Sequence, residues 1–271
     1  MDNVFERSKA RYLVGWVVLS FVLSFFVPDF KYSTNLLLLI ILYFIPLWWF
    51  NSKLKKDGQS LRHFFPKPFP IKKTTLMASV VMTLVFAVGM LLLVIAAILF
   101  LFPEAENMIL PSQPKEVSLG FFIFNMINLV IIAPVCEEII FRGFVLGRLT
   151  YKFGVNKGII FSSFIFGVMH FTNVFGAAMF GIILCILYIK SNSLITTIIV
   201  HAFYNAVVAC GDIYSFIDEG NYSGNLSAPP LYPTMIVALL CTIIALLWIV
   251  PFLKKNWQPA PLVYENQVIE Q

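Results

Sequence analysis

Charge is scarce in this sequence. Of its 271 residues only 12% are Asp, Glu, Lys or Arg, about half the share typical of soluble domains. A chain so composed cannot cover a globular surface with charge, which excludes an ordinary soluble domain. No segment alternates apolar and polar residues over about ten positions, as the strands of a membrane barrel do. The four cysteines (Cys136, Cys185, Cys210 and Cys241) lie within or at the end of apolar runs, and none has CxxC spacing. They are expected to be small buried apolar residues, neither a disulfide framework nor a metal cage. HExxH is also missing, and only three histidines occur, His63, His170 and His201. The net charge of +5 sits in clusters between hydrophobic runs, as in loops facing a cytoplasm, and does not suggest nucleic acid.

Hydrophobic runs are what the chain has in abundance. Residues of that class make up 59% of it, and a bilayer core needs roughly 20 of them per helix. The expected fold class is all-α: a polytopic membrane helical bundle of about eight transmembrane helices, with residues 1–271 forming one integral membrane domain. The spans are predicted near 12–27, 36–50, 76–102, 119–149, 157–172, 175–190, 194–210 and 232–253. The first follows Arg7, Lys9 and Arg11 but lacks a small-x-small cleavage site, so it is read as a retained anchor.

Loop charge sets the expected orientation. Residues 51–75 carry seven bases against one acid, Asp57, whereas 103–117 and 211–231 are acidic. The positive-inside rule puts the first of these in the cytoplasm and the other two outside. Alternation through eight spans then leaves both termini in the cytoplasm of a multi-pass membrane protein. Asn221 and Asn225 match the glycosylation acceptor pattern on the outer side. The stretch "SLRHFFPKPFPIKK" mixes aromatics, prolines and cations and is expected to lie at the membrane interface.

Against this background "APVCEEIIFRG", residues 133–143, stands out. Ionisable groups inside a span are costly and usually face a cavity or one another. Glu138 and Arg142 are four apart and share a helical face, while Glu137 is rotated from Glu138 by about 100° and must look elsewhere. Pro134 removes a backbone donor just before Glu137 and is expected to bend the helix toward a cavity. Gly143, Gly147 and Gly167 would let helices approach closely.

His170, in "FIFGVMHFTN", and His201, in "IIVHAFYNAV" with Asn205 one turn on, are the other polar intrusions. At about 1.5 Å per residue from the nearest cytoplasmic base, Glu137 lies about 16 Å deep, His170 about 20 Å and His201 about 16 Å. One acid, two imidazoles and an amide from three helices thus fall in one layer. A carboxylate can deprotonate water with a histidine orienting it, and an imidazole and an amide can stabilise an oxyanion. Together they would hydrolyse a peptide bond. The same groups could instead hold zinc, with ligands converging from separate helices.

"EEIIFR", "FGVMH" and "HAFYN" have the forms EExxxR, FxxxH and HxxxN. In order and approximate spacing they resemble the CAAX prenyl protease and bacteriocin-processing family (CPBP, or Abi) of intramembrane proteases. The resemblance covers roughly residues 119–210, the motif-bearing core. It implies an endopeptidase acting on membrane-associated peptides or proteins within the lipid bilayer, from a site open toward the cytoplasm. It also implies that Glu137 and His170 activate water, that His201 and Asn205 form the oxyanion site, and that Glu138 and Arg142 support it. No cofactor is expected on the glutamate mechanism, and zinc is the alternative. Bacterial members are linked to peptide processing, pheromone signalling and bacteriocin immunity, eukaryotic ones to prenylated proteins. The rival readings are a non-proteolytic membrane scaffold or bacteriocin-immunity protein, and a proton-coupled transporter, which would more often show repeats or broken helices in both halves.

Overall fold

The computed structural model describes residues 39–105, 118–218 and 230–257, and all its elements there are helical. The expected span at 12–27, the acceptor sites at Asn221 and Asn225, and the terminal bases Arg7, Lys9 and Arg11 lie outside the described residues. A π-helical turn, Ile40–Phe44, leads into α1, Ile45–Lys56. Then come α2 (Lys73–Leu101), α3 (Leu119–Phe153), α4 (Val155–Met169), α5 (Val174–Ser191), α6 (Leu194–Asp218) and α7 (Leu231–Asn256).

Five of these segments are long and apolar enough to cross a bilayer: α2, α3, Phe171–Ser191, Leu194–Tyr214 and α7. The α4 helix is apolar but shorter. Sequence reading makes α1 part of a span, yet its last turn holds Lys53, Lys55 and Lys56, and it does not reach the same measure. The protein is therefore an all-helical, multi-pass membrane protein with five candidate spans among the described residues, fewer than the eight expected from the whole sequence. Large apolar side chains such as Phe164, Ile236, Leu240 and Leu247 point outward. Lipid can cover such a surface; water cannot do so cheaply.

Close approach is built from small residues. A Cβ on Gly167 would sit 2.6 Å from the Val174 carbonyl and 2.7 Å from Ala178 Cβ, so α4 and α5 touch backbone to backbone. Gly143, expected to act likewise, has only ordinary contacts, the nearest 3.6 Å away on Phe64. Helix α3 is capped at its start by Ser118, whose hydroxyl accepts from Phe121 N. Its 35 residues span about 52 Å at 1.5 Å each, well beyond a hydrocarbon core of ~30 Å. Two π-helical stretches, Asn128–Ile132 and Ile139–Leu146, interrupt it on either side of the acids. Such widened turns recur at functional sites.

The loop expected at the interface is tied to the helical core. Phe64 is buried, packed edge-on to Phe50 at 5.6 Å, and Phe50 meets Phe144 of α3 at 5.1 Å. The Phe69 backbone N–H donates to the Ser191 carbonyl at 2.8 Å. The aromatics of this segment thus help fix α1 against the helix that carries the acids. All four cysteines are free thiols. Cys136 and Cys185 are buried as expected, but Cys210 is exposed, because its stretch of α6 faces outward.

Candidate functional site

Two adjacent acids on α3 do different things because helical rotation sends them apart. Glu138 is wholly buried, and its Oε1 accepts from Arg142 Nη1 at 2.8 Å and from His201 Nδ1 at 2.9 Å. Arg142, only 1% exposed, also donates from Nη2 to the Gly181 carbonyl at 3.3 Å and lies 4.6 Å from the Phe166 ring centre. This one pair therefore ties α3 to α4, α5 and α6. A buried ion pair gains little net stability, but removing one partner leaves a charge uncompensated.

Glu137 faces a cavity of about 450 Å³, whose lining also includes Tyr43, Phe141, Phe144, Arg148 and His170. Its Oε1 accepts from Tyr43 Oη at 2.8 Å. Its Oε2 is buried with no hydrogen-bond partner, 4.0 Å from His170 Nε2 and 3.9 Å from His201 Nε2. The depth estimate from the sequence and the structure agree in bringing these three side chains together.

His170 is not within a helix, as the sequence suggests, but at the C-terminal cap of α4. Its Nδ1 lies 2.8 Å from the Phe166 carbonyl, one of the last-turn oxygens a helix leaves without a backbone donor. A carbonyl only accepts, so Nδ1 carries a proton, and Nε2 is the nitrogen that faces Glu137. The corner after it is held by Asn173: its Oδ1 accepts from Gly176 N at 3.1 Å, capping α5, and its Nδ2 donates to the Ala87 carbonyl of α2 at 3.1 Å. His201 sits mid-helix on α6, edge-on to Phe180 at 5.3 Å and to Phe166 at 5.9 Å. With Nδ1 on Glu138 it too presents Nε2 to Glu137. The two rings differ in access, the His170 side chain being 39% exposed and that of His201 3%.

Asn205 is held by α3. Within the first π-helical stretch the Ala133 N–H donates to the Asn128 carbonyl, five residues back. The Leu129 carbonyl thereby loses its α-helical donor, and the residue five further on is Pro134, which has no N–H. Asn205 Nδ2 fills the gap, donating to the Leu129 oxygen at 2.8 Å. One of the two amide protons is so used, and the second is left for other work.

Sequence reading missed Tyr43 and Asn173. Asn173 had a readable signal, an Asn just before an apolar helix where N-caps occur. Tyr43 had none, being one aromatic among many and 94 residues from its partner. Among the described residues no group of three His, Cys, Asp or Glu side chains is placed to hold a metal ion.

Fold and site together define a class: a helical membrane protein in which an acid and an imidazole line a largely apolar cavity and a second, buried imidazole faces the same acid. Residues 119–207 match the family model described as type II CAAX prenyl endopeptidase Rce1-like, in agreement with the resemblance carried by the three motifs. No curated protein and no solved structure matches the chain.

Proposed function

We propose that this protein is an intramembrane endopeptidase that hydrolyses peptide bonds in membrane-associated peptides or proteins. The observation that carries the reading is the free Oε2 of Glu137, facing the Nε2 atoms of His170 and His201 at 4.0 and 3.9 Å while its other oxygen is held by Tyr43. In this mechanism Oε2 takes a proton from water, whose oxygen bonds to the scissile carbonyl carbon while His170 orients it. The carbonyl oxygen becomes an oxyanion. His201 and the second N–H of Asn205 donate to it, a role in which His201 needs protons on both nitrogens, one held by Glu138. The C–N bond then breaks, and the proton on Glu137 passes to the leaving amine. Glu138 and Arg142 hold His201 in place. No step requires a metal, and activity is expected to be indifferent to chelators.

The match to residues 119–207 supports a CAAX protease-type activity, and the largely apolar cavity favours a substrate segment that is itself apolar. The substrate reaches the site from the cytoplasmic half of the bilayer, and both termini lie in the cytoplasm. The test is cleavage of candidate membrane peptides by purified protein, wild type against Glu137→Gln. Loss of cleavage with the fold retained is expected. A scaffold or immunity protein would keep its cellular phenotype in that variant, and full cleavage by it would remove the proposed base.

A further inference from the structure

We propose that Tyr43 is a positioning residue for Glu137, supplied from outside the segment that carries the motifs; this rests on the protease reading above. Tyr43 lies in the π-helical turn Ile40–Phe44, ahead of residues 119–207. Its ring packs against the core, and its hydroxyl donates to Glu137 Oε1 at 2.8 Å. The other oxygen of that carboxylate, Oε2, has no hydrogen-bond partner.

The physical need for such a bond follows from the side chain. The terminal torsion of a glutamate is broad and roughly two-fold, so a carboxylate without a donor swivels and exchanges its oxygens. A base that swivels spends part of its time with no oxygen aimed at the histidines. The Tyr43 bond removes that freedom: with Oε1 held, Oε2 stays 3.9–4.0 Å from the two imidazole nitrogens. A hydrogen bond to a charged group is stronger than a neutral one, and this one lies largely out of water.

Tyr43 also lines the cavity, so a role in substrate contact must be told apart from a role through Glu137. The variant Tyr43→Phe does this, since it keeps the ring and its packing and removes only the hydroxyl. Loss of a hydrogen bond to a charged group predicts a fall in kcat of about 10- to 100-fold. KM should stay within about twofold, because the ring that would touch substrate is unchanged.

The experiment measures kcat and KM of wild type and Tyr43→Phe on one cleavable peptide. Alongside it, the infrared carboxyl bands of both proteins are compared in detergent, with the same pair in a Glu137→Gln background. Support requires lowered kcat, unchanged KM, and a band shift on losing the hydroxyl that disappears in the Glu137→Gln pair. Wild-type kcat in Tyr43→Phe overturns the proposal, as does a rise in KM alone, which would make Tyr43 a substrate contact. An absent band shift overturns it too. A wild-type protein that cleaves nothing while showing the shift sinks the protease reading, and the positioning role with it, but leaves the hydrogen bond standing. The two failures are thereby distinguished.

Discussion

Asn205 on α6 makes good the hydrogen bond that Pro134 denies to α3, its Nδ2 reaching the Leu129 carbonyl at 2.8 Å. The amide proposed as an oxyanion donor is thus also a structural tie, and the two roles can be separated. Hydrogen bonds of this kind between membrane helices average about 0.6 kcal/mol, up to about 1.7. Asn205→Ala should therefore lower thermal stability slightly while lowering kcat by about 10²–10³, the usual effect of losing one oxyanion donor. Adding Pro134→Ala restores a backbone N–H near Leu129. The double variant should recover stability and not kcat, as measured by unfolding in detergent and by peptide cleavage.

The Glu138–Arg142 pair gives a second expectation. Arg142→Ala leaves a wholly buried carboxylate without its arginine partner, at about 3–5 kcal/mol. Folded yield and activity should fall together, and size-exclusion profiles with assays on the monodisperse fraction would show it. Normal yield with normal activity would count against the pairing.

Two glycines supply a controlled comparison. A Cβ at Gly167 would meet the Val174 carbonyl at 2.6 Å, forcing α4 from α5 just where His170 is seated, whereas a Cβ at Gly120 meets nothing within 4 Å. Gly167→Ala should lower both melting temperature and cleavage. Gly120→Ala should be neutral, or stabilising by up to ~1 kcal/mol through helix propensity.

Much of this was legible from composition and spacing, and the reasons are physical. Hydrocarbon demands long apolar helices, so α2, α3, α5, α6 and α7 announce themselves, and ionisable groups within them stand out. The i,i+4 rule put Arg142 beside Glu138. What spacing could not supply was anything crossing between helices. The bond from His201 Nδ1 to Glu138 joins residues 63 apart, and that from Tyr43 to Glu137 joins residues 94 apart. The π-helical stretches escaped too, since they come from where backbone donors go rather than from which side chains are present. The burial of Phe64 against Phe50 escaped as well, since its neighbours in the sequence are prolines and cations.

Orientation is tested by labelling single cysteines in a background lacking the native four. A cysteine at residue 221 should react with an impermeant reagent added outside intact cells, and one at residue 60 should not. The reverse pattern would overturn the proposed topology.

The tie from Asn173 Nδ2 to the Ala87 carbonyl reaches out of residues 119–207, as does Tyr43. The three motifs read as a contiguous signature, but the site they mark is not a module that could be lifted out and grafted elsewhere. An excised 119–207 would keep every motif residue and still lose the anchor of the corner that seats His170. A match confined to that segment therefore says less about the site than whether the turn Ile40–Phe44 and α2 accompany it.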